Sequence, residues 1–205
     1  MPNPGALEYG VYYHIFNRGN NRQNIFFEER NYRHFLQLYG KYVQPVADTY
    51  AYCLLRNHFH LLVRIKREEE QPPQTFEVGN QTSKVLSPSQ QFSNWFNAYA
   101  KAINRAYGRT GSLFERPFGR IAVTSDAYFA QLVVYIHHNP QKHGLVDDFR
   151  NWPYSSYHAL VSAKPTLLKR EDVLDWFGGL PGLARLHEEQ VPEGPLGPLL
   201  LEDFD

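Results

Sequence analysis

Residues 52–65 read YCLLRNHFHLLVRI, two short apolar runs hinged at Arg56-Asn57, with His58 and His60 opening the second run. Side chains alternate between the two faces of a strand. Phe59, Leu61, Val63 and Ile65 therefore line one face, wholly apolar, which is the core side. His58 and His60 share the other face with Leu62 and Arg64. The core face is filled without either imidazole, and two imidazoles two residues apart on one strand can grip one divalent metal ion. A pair is not a complete site, so a third ligand must come from elsewhere. Cys53, the lone cysteine, is a poor candidate, because a single thiol builds no thiolate-rich zinc cage.

Two known users of a histidine pair can be tested on the residues. Histidine-triad nucleotidyl transferases need a further histidine two positions on, where Leu62 stands. Two-histidine phosphoesterases need two H-x-Ser/Thr copies, and neither exists here.

Working outward, residues 49–55 and 58–65 predict a hairpin of two strands. Residues 11–18 (VYYHIFNR) are aromatic and β-branched and end at the turn-rich GNNRQN, as a strand does. Tyr32, Phe35, Leu36, Tyr39 and Val43 fall at helical spacing within residues 28–43. Residues 66–89 have no period and many Pro, Ser and charged residues, which predicts a mobile linker. A second helix is expected over 89–107, with Phe92, Trp95, Phe96, Tyr99 and Ile103 on one side, and a strand over 114–123. A third helix over 125–138 starts at Ser125 or Asp126 and stops at Asn139-Pro140. A short helix near 170–177 follows, and the Gly- and Pro-rich chain from Gly178 on reads as loosely ordered. The order β-α-β-β-α-β-α predicts an α+β fold, an antiparallel sheet with helices against one face. The expected organisation is a domain over 1–160 and a C-terminal extension with an acidic tail over 161–205.

The chain has 205 residues and is 42% apolar, with 14 Tyr, 14 Phe and 3 Trp, enough for a real core and for flat faces that stack unpaired bases. No run of about 18 apolar residues occurs, which argues against a membrane span. MPNPGALEYG lacks the charged-then-apolar pattern of a signal peptide, and the lone cysteine fits a reducing compartment, so a cytoplasmic protein is expected. The net charge of zero hides a division. Residues 1–170 carry 20 Lys and Arg against 12 Asp and Glu, whereas residues 171–205 carry one Arg against nine. A basic body with an acidic end fits a polyanion-binding domain followed by a solvated or autoinhibitory tail.

In the third predicted helix, AYFAQLVVYIHHNPQKHGLV, Tyr135 and Asn139 are four apart and share one face. Phe129, Leu132, Val133 and Ile136 supply its packing surface. From spacing alone Tyr135 reads first as a core aromatic or a hydrogen-bonding rim residue, and Asn139 before Pro140 as a helix stop.

Five stretches in order, HIFNRG, YCLLRNHFHLLV, GRTGSLFERPFGR, YIHHNPQKHGLV and NWPYSSY, resemble the HUH single-tyrosine transposases, and among them the REP-associated tyrosine transposases and their insertion-sequence relatives. The resemblance covers roughly residues 9–160. It implies a ferredoxin-like antiparallel sheet with flanking helices and cleavage and rejoining of single-stranded, hairpin-bearing DNA. It places the family's metal-binding histidines on His58 and His60, the nucleophile on Tyr135 and a third metal ligand on the amide oxygen of Asn139. Imidazoles beside a hard oxygen suit Mg²⁺ or Mn²⁺. It also puts the basic stretch with Lys101, Arg105, Arg109, Arg116 and Arg120 near DNA. One tyrosine per chain either acts twice or requires two chains, a homodimer. Two other classes share these residues: a catalytically dead nucleic-acid-binding module on the same fold, and a zinc hydrolase that adds His137 or His138. A binding module has no reason to keep all four of His58, His60, Tyr135 and Asn139, and nothing supplies the glutamate such a hydrolase uses.

Overall fold

The computed structural model describes residues 5–72 and 87–189. Most of the expected linker, residues 73–86, and the end of the acidic tail, residues 190–205, lie outside the described residues.

The alternation at 58–65 builds the centre of the sheet. Strands β1 (Tyr12–Arg18), β2 (Ala47–Leu54), β3 (His58–Ile65) and β4 (Gly119–Ala122) pair antiparallel in the order β2-β3-β1-β4. Arg56-Asn57 is the hairpin turn, closed by Leu55 N–H donating to His58 O at 2.9 Å. Helix α1 (Glu29–Tyr42) joins β1 to β2, and α2 (Pro88–Ala106) precedes β4. This is the ferredoxin-like β-α-β-β-α-β order, and the fold is α+β. Strand β4 is shorter than the run 114–123 suggested, because Pro117 has no N–H to give a ladder. Phe114 makes only an isolated bridge, to Gly19.

The first face of the sheet packs on α1 and α2. Phe59, Leu61, Val63 and Ile65 join Phe35, Trp95, Phe96, Tyr99 and Phe114 in one buried cluster. Two of the polar tips buried here bond to backbone: Trp95 Nε1 donates to Phe35 O at 3.0 Å and Tyr99 OH to Ile25 O at 2.7 Å. The start of α1 is fixed by Asn31 Oδ1, which accepts from Phe27 N at 2.8 Å and Glu28 N at 3.1 Å.

Contrary to the expectation of helices on one face, the second face is covered too. Helix α3 (Asp126–Lys142) lies across it, and Phe129, Leu132, Val133 and Ile136 join Tyr50, Leu62 and Trp152 in a second buried cluster. The physical reason is that α3 is apolar nearly all round, so it is sandwiched between the sheet and further helices. Those are α4 (Tyr157–Val161), α5 (Arg170–Phe177) and α6 (Leu180–Glu188). The chain after Gly178 is thus helical up to Glu188, not loosely ordered, and its Leu183 and His187 are buried in this layer. The NWPYSSY stretch runs along the edge of β2, with Leu54 N donating to Tyr154 O at 3.0 Å and Ser156 N to Tyr52 O at 2.9 Å. An edge covered in this way cannot pair with another chain. Among the described residues no helix is long and apolar enough to cross a membrane.

Candidate active site

Strand parity and helix pitch meet on the second face. Phe16 and Arg18 of β1 stand opposite His60 and His58 of β3, so all four point to the α3 side. Ser125 caps α3, its hydroxyl accepting from Tyr128 N at 3.2 Å. The helix does not stop at Asn139-Pro140 as expected. It runs one turn further to Lys142, because the last turn tolerates Pro140 with His143 N still donating to Asn139 O at 3.0 Å. That extra turn carries Lys142 and His143 back towards the site.

His58, His60, Tyr135 and Asn139 come together. His58 Nε2 lies 3.2 Å from Asn139 Oδ1, and the His58 and His60 rings are 5.1 Å apart at 85°. The Tyr135 ring stands edge-on to His60, 5.5 Å away. Tyr135 is 8% exposed, His60 2% and Asn139 0%, so the site is sunk between sheet and helix, with the partly exposed His58 at its mouth. The second face was expected to leave both imidazoles outside any core. Covered by α3, it buries His60 instead.

The hydrogen bonds bear on what the cluster can hold. Asn57 Oδ1 lies 2.8 Å from His58 Nδ1 and, as a carbonyl-type oxygen, can only accept. His58 therefore carries its proton on Nδ1 and presents a lone pair at Nε2. With the Asn139 amide oriented as it stands, that lone pair faces a second acceptor, Oδ1, while the buried Asn139 Nδ2 has no hydrogen-bond partner. Turned over, the amide would donate from Nδ2 to that lone pair; as it stands, Oδ1 and Nε2 can share one cation. Ligands about 2.1 Å from one octahedral ion sit about 3 Å apart when adjacent, close to the observed separation. Two imidazoles and an amide oxygen fit a divalent cation. Among the described residues no group of three or more His, Cys, Asp or Glu is arranged to hold a metal. Cys53 stands opposite His60, but burial pushes its thiol up, away from the thiolate a metal would need.

His137 and His138, the histidines of the hydrolase alternative, point elsewhere. His137 Nδ1 is 2.7 Å from His187 Nε2 and its Nε2 is 2.8 Å from Ser156 Oγ. His138 Nε2 is 3.0 Å from His187 O. Both tie α3 to α6, and burial holds His137 well below the ordinary imidazole range.

The expected DNA-contacting residues divide. Lys101, Arg116 and Arg120 line a groove of about 640 Å³ between α2 and residues 111–118, whereas Arg105 and Arg109 do not. Arg109 donates to Gln23 Oε1 at 2.6 Å, and Arg105 is exposed in the last turn of α2. The Arg120 guanidinium lies 4.0 Å over the Phe118 ring. Asn17, which lines the groove, and Arg18, which pairs with His58 across the sheet, are consecutive on β1.

Three neighbours were not picked out from sequence. Lys142 Nζ stands 5.4 Å from the Tyr135 ring centre, the His143 ring is 4.9 Å from that of His58, and Asn57 touches His58 directly. His143 is four residues after Asn139, a spacing that would have flagged it had the helix not been ended at Pro140.

No family model matches the chain. Over 119 residues, 57% of its length, it is 29% identical to a Haemophilus influenzae protein named "Putative REP-associated tyrosine transposase", and the match spans 62% of that relative. Its fold superposes on a solved structure described as a REP-associated tyrosine transposase bound to a REP hairpin. The TM-score is 0.55 at 19% identity, over 80% of this chain and 88% of the other. In a stretch of its sequence, and in fold over most of its length, the chain resembles the REP-associated tyrosine transposases.

Proposed function

We propose that this protein is a metal-dependent tyrosine transposase that cuts and rejoins single-stranded, hairpin-bearing DNA through a 5′-phosphotyrosine. The observation that carries the reading is the convergence of Tyr135, Asn139, His58 and His60 from a helix and a strand far apart in sequence. The relative by sequence is named as a transposase of this kind, and the structure of like fold holds a REP hairpin, which supports hairpin DNA as the partner.

His58, His60 and Asn139 would hold Mg²⁺ or Mn²⁺, and the bound ion would supply positive charge beside the scissile phosphate. The phenol oxygen of Tyr135 forms a bond to phosphorus and gives up its proton. The bond from phosphorus to the 3′ oxygen breaks, and that oxygen keeps the electron pair and takes up a proton to become a 3′-OH. Burial of Tyr135 against His60 keeps water from competing for the phosphotyrosine. The linkage conserves the energy of the broken bond, so a second 3′-OH can reverse the step and join a new strand. Lys142, above the Tyr135 ring, adds positive charge where the phosphate must sit. Lys101, Arg116 and Arg120 would contact DNA phosphates along their groove.

The test is incubation of the protein with end-labelled hairpin DNA and Mn²⁺, followed by a denaturing gel. A covalent protein–DNA band that needs the metal is the expected result. Tight hairpin binding with no adduct under any metal would identify a binding module on the same fold.

A further inference from the structure

We infer that His14 is a positioning residue for His60, holding the one tautomer in which His60 can ligate a cation. The inference rests on the proposed role of His60 in the metal site. His14 lies on β1 opposite Leu62, fully buried, with Nε2 3.0 Å from His60 Nδ1. The two rings lie nearly parallel, at 15° with centres 5.1 Å apart, and Tyr135 stands edge-on to both.

A neutral imidazole has one N–H and one lone pair. In a bond between two neutral imidazoles, one must donate and the other accept, which leaves two arrangements. If His14 Nε2–H donates to His60 Nδ1, the His60 proton sits on Nε2 and that nitrogen cannot bind a cation. If His60 Nδ1–H donates to His14 Nε2, His60 Nε2 presents its lone pair. Only the second makes His60 a ligand, and it obliges His14 to carry its own proton on Nδ1. The same logic operates at His58, where Asn57 Oδ1 can only accept. Each ligating histidine thus has a partner behind it that takes its Nδ1–H, an amide for the outer one and an imidazole for the buried one. Partners of this kind orient the ring and raise its basicity as a ligand.

The experiment titrates Mn²⁺ alone, without DNA, into the full chain by calorimetry. Wild type, His14→Leu and His14→Gln are compared, each checked for folding by thermal denaturation. His14→Leu keeps the buried volume but removes the acceptor, and should weaken Mn²⁺ binding about 10- to 100-fold. His14→Gln, whose amide oxygen accepts the same N–H, should recover most of that loss. Nitrogen-15 shifts of the imidazoles in the metal-free wild type report the tautomers directly, so the inference survives a leucine variant that fails to fold. His60 is expected with its proton on Nδ1, and a proton on Nε2 would overturn the inference. Equal Mn²⁺ affinity in wild type and His14→Leu would overturn it too, as would a glutamine variant no better than leucine. A wild type that binds no Mn²⁺ would instead remove the metal-site reading on which the inference stands.

Discussion

On the α1 and α2 side of the sheet, Phe35, Phe59, Trp95, Phe96, Tyr99 and Phe114 fill the interior with rings, and the few polar tips bond to backbone. On the α3 side the same strands present His14, His58 and His60 to Tyr135 and Asn139. Both faces are buried. The first removes apolar surface from water, and none of the buried described residues in its cluster is a histidine or an acid. The second gives up part of that gain to bury side chains with lone pairs and protons to place. A strand delivers its two faces independently, so substitutions in adjacent residues of β3 should separate stability from chemistry.

The largest effect is expected at Tyr135. Tyr135→Phe should remove the covalent adduct completely, since no other group in the cluster can form the phosphotyrosine. Losing one hydroxyl should cost no more than about 1 kcal/mol of stability, and hairpin binding should persist. Tyr128→Phe, seven residues earlier on α3, is the paired control on the denaturing gel. Cleavage that persists in Tyr135→Phe and is lost in Tyr128→Phe would move the nucleophile and break the assignment of chemistry to this part of the second face.

Phe59→Ala reverses the comparison. Phe59 is fully buried, with ring centroids 5.2 Å from Phe35 and 5.5 Å from Trp95. Truncation should destabilise the protein by about 3–5 kcal/mol, read as a lowered denaturant midpoint. Adduct yield per folded molecule should change little, although Phe59 sits between the two histidines in sequence. A variant that stays stable but loses adduct formation would show that the faces are coupled.

Much of this division was legible in YCLLRNHFHLLVRI, because period-two alternation assigns faces without knowing what covers them. What covers the second face was not. The apolar positions of α3 surround the helix, and such a helix carries no directional signal. The contact of His14 with His60 joins residues 46 apart in sequence, and no local pattern encodes it. Two errors did have local signals. Gly178 is left-handed at φ 70° and caps α5, and Pro181 lies in the first turn of α6. FGGLPGLARLHE therefore ends one helix and starts the next, where counting Gly and Pro suggested loose chain. Pro140 falls in the last turn of α3, where one lost hydrogen bond costs less than in mid-helix.

The outer layer of the second face sharpens the comparison through pH. His187 donates from Nδ1 to Leu183 O at 2.7 Å, and burial disfavours charge on both rings, so that with both neutral its Nε2 accepts from His137 Nδ1. Burial pushes His187 down to about 4 from its ordinary 6.5. Between these values the unfolded chain takes up a proton that the folded chain refuses, so stability rises with pH across the window. The contribution, on the order of 3 kcal/mol, is fully present above pH 6.5 and lost as pH falls to about 4. Urea denaturation at several pH values should show this slope in wild type and a shallower one in His187→Gln, which cannot titrate. Identical slopes would show that docking α6 on α3 imposes no such cost.

The smallest effect is expected outside both faces. Residues 190–205 add Glu193, Glu202, Asp203 and Asp205 and no Lys or Arg. A cut at Gly178 would remove the whole acidic end but also α6, with its buried Leu183 and His187, and would confuse charge with folding. A stop after Glu189 removes four negative charges and none of the described elements. If those charges compete with DNA for Lys101, Arg116 and Arg120, the shortened chain should bind single-stranded hairpin DNA roughly two- to fivefold more tightly near 50 mM salt. The gain should fade near 0.3 M as the screening length shrinks. Lys101→Ala in the same assay should weaken binding and reduce the salt slope by about one released counterion. Equal binding of the full and shortened chains at every salt concentration would show that the acidic end does not compete with DNA at that groove.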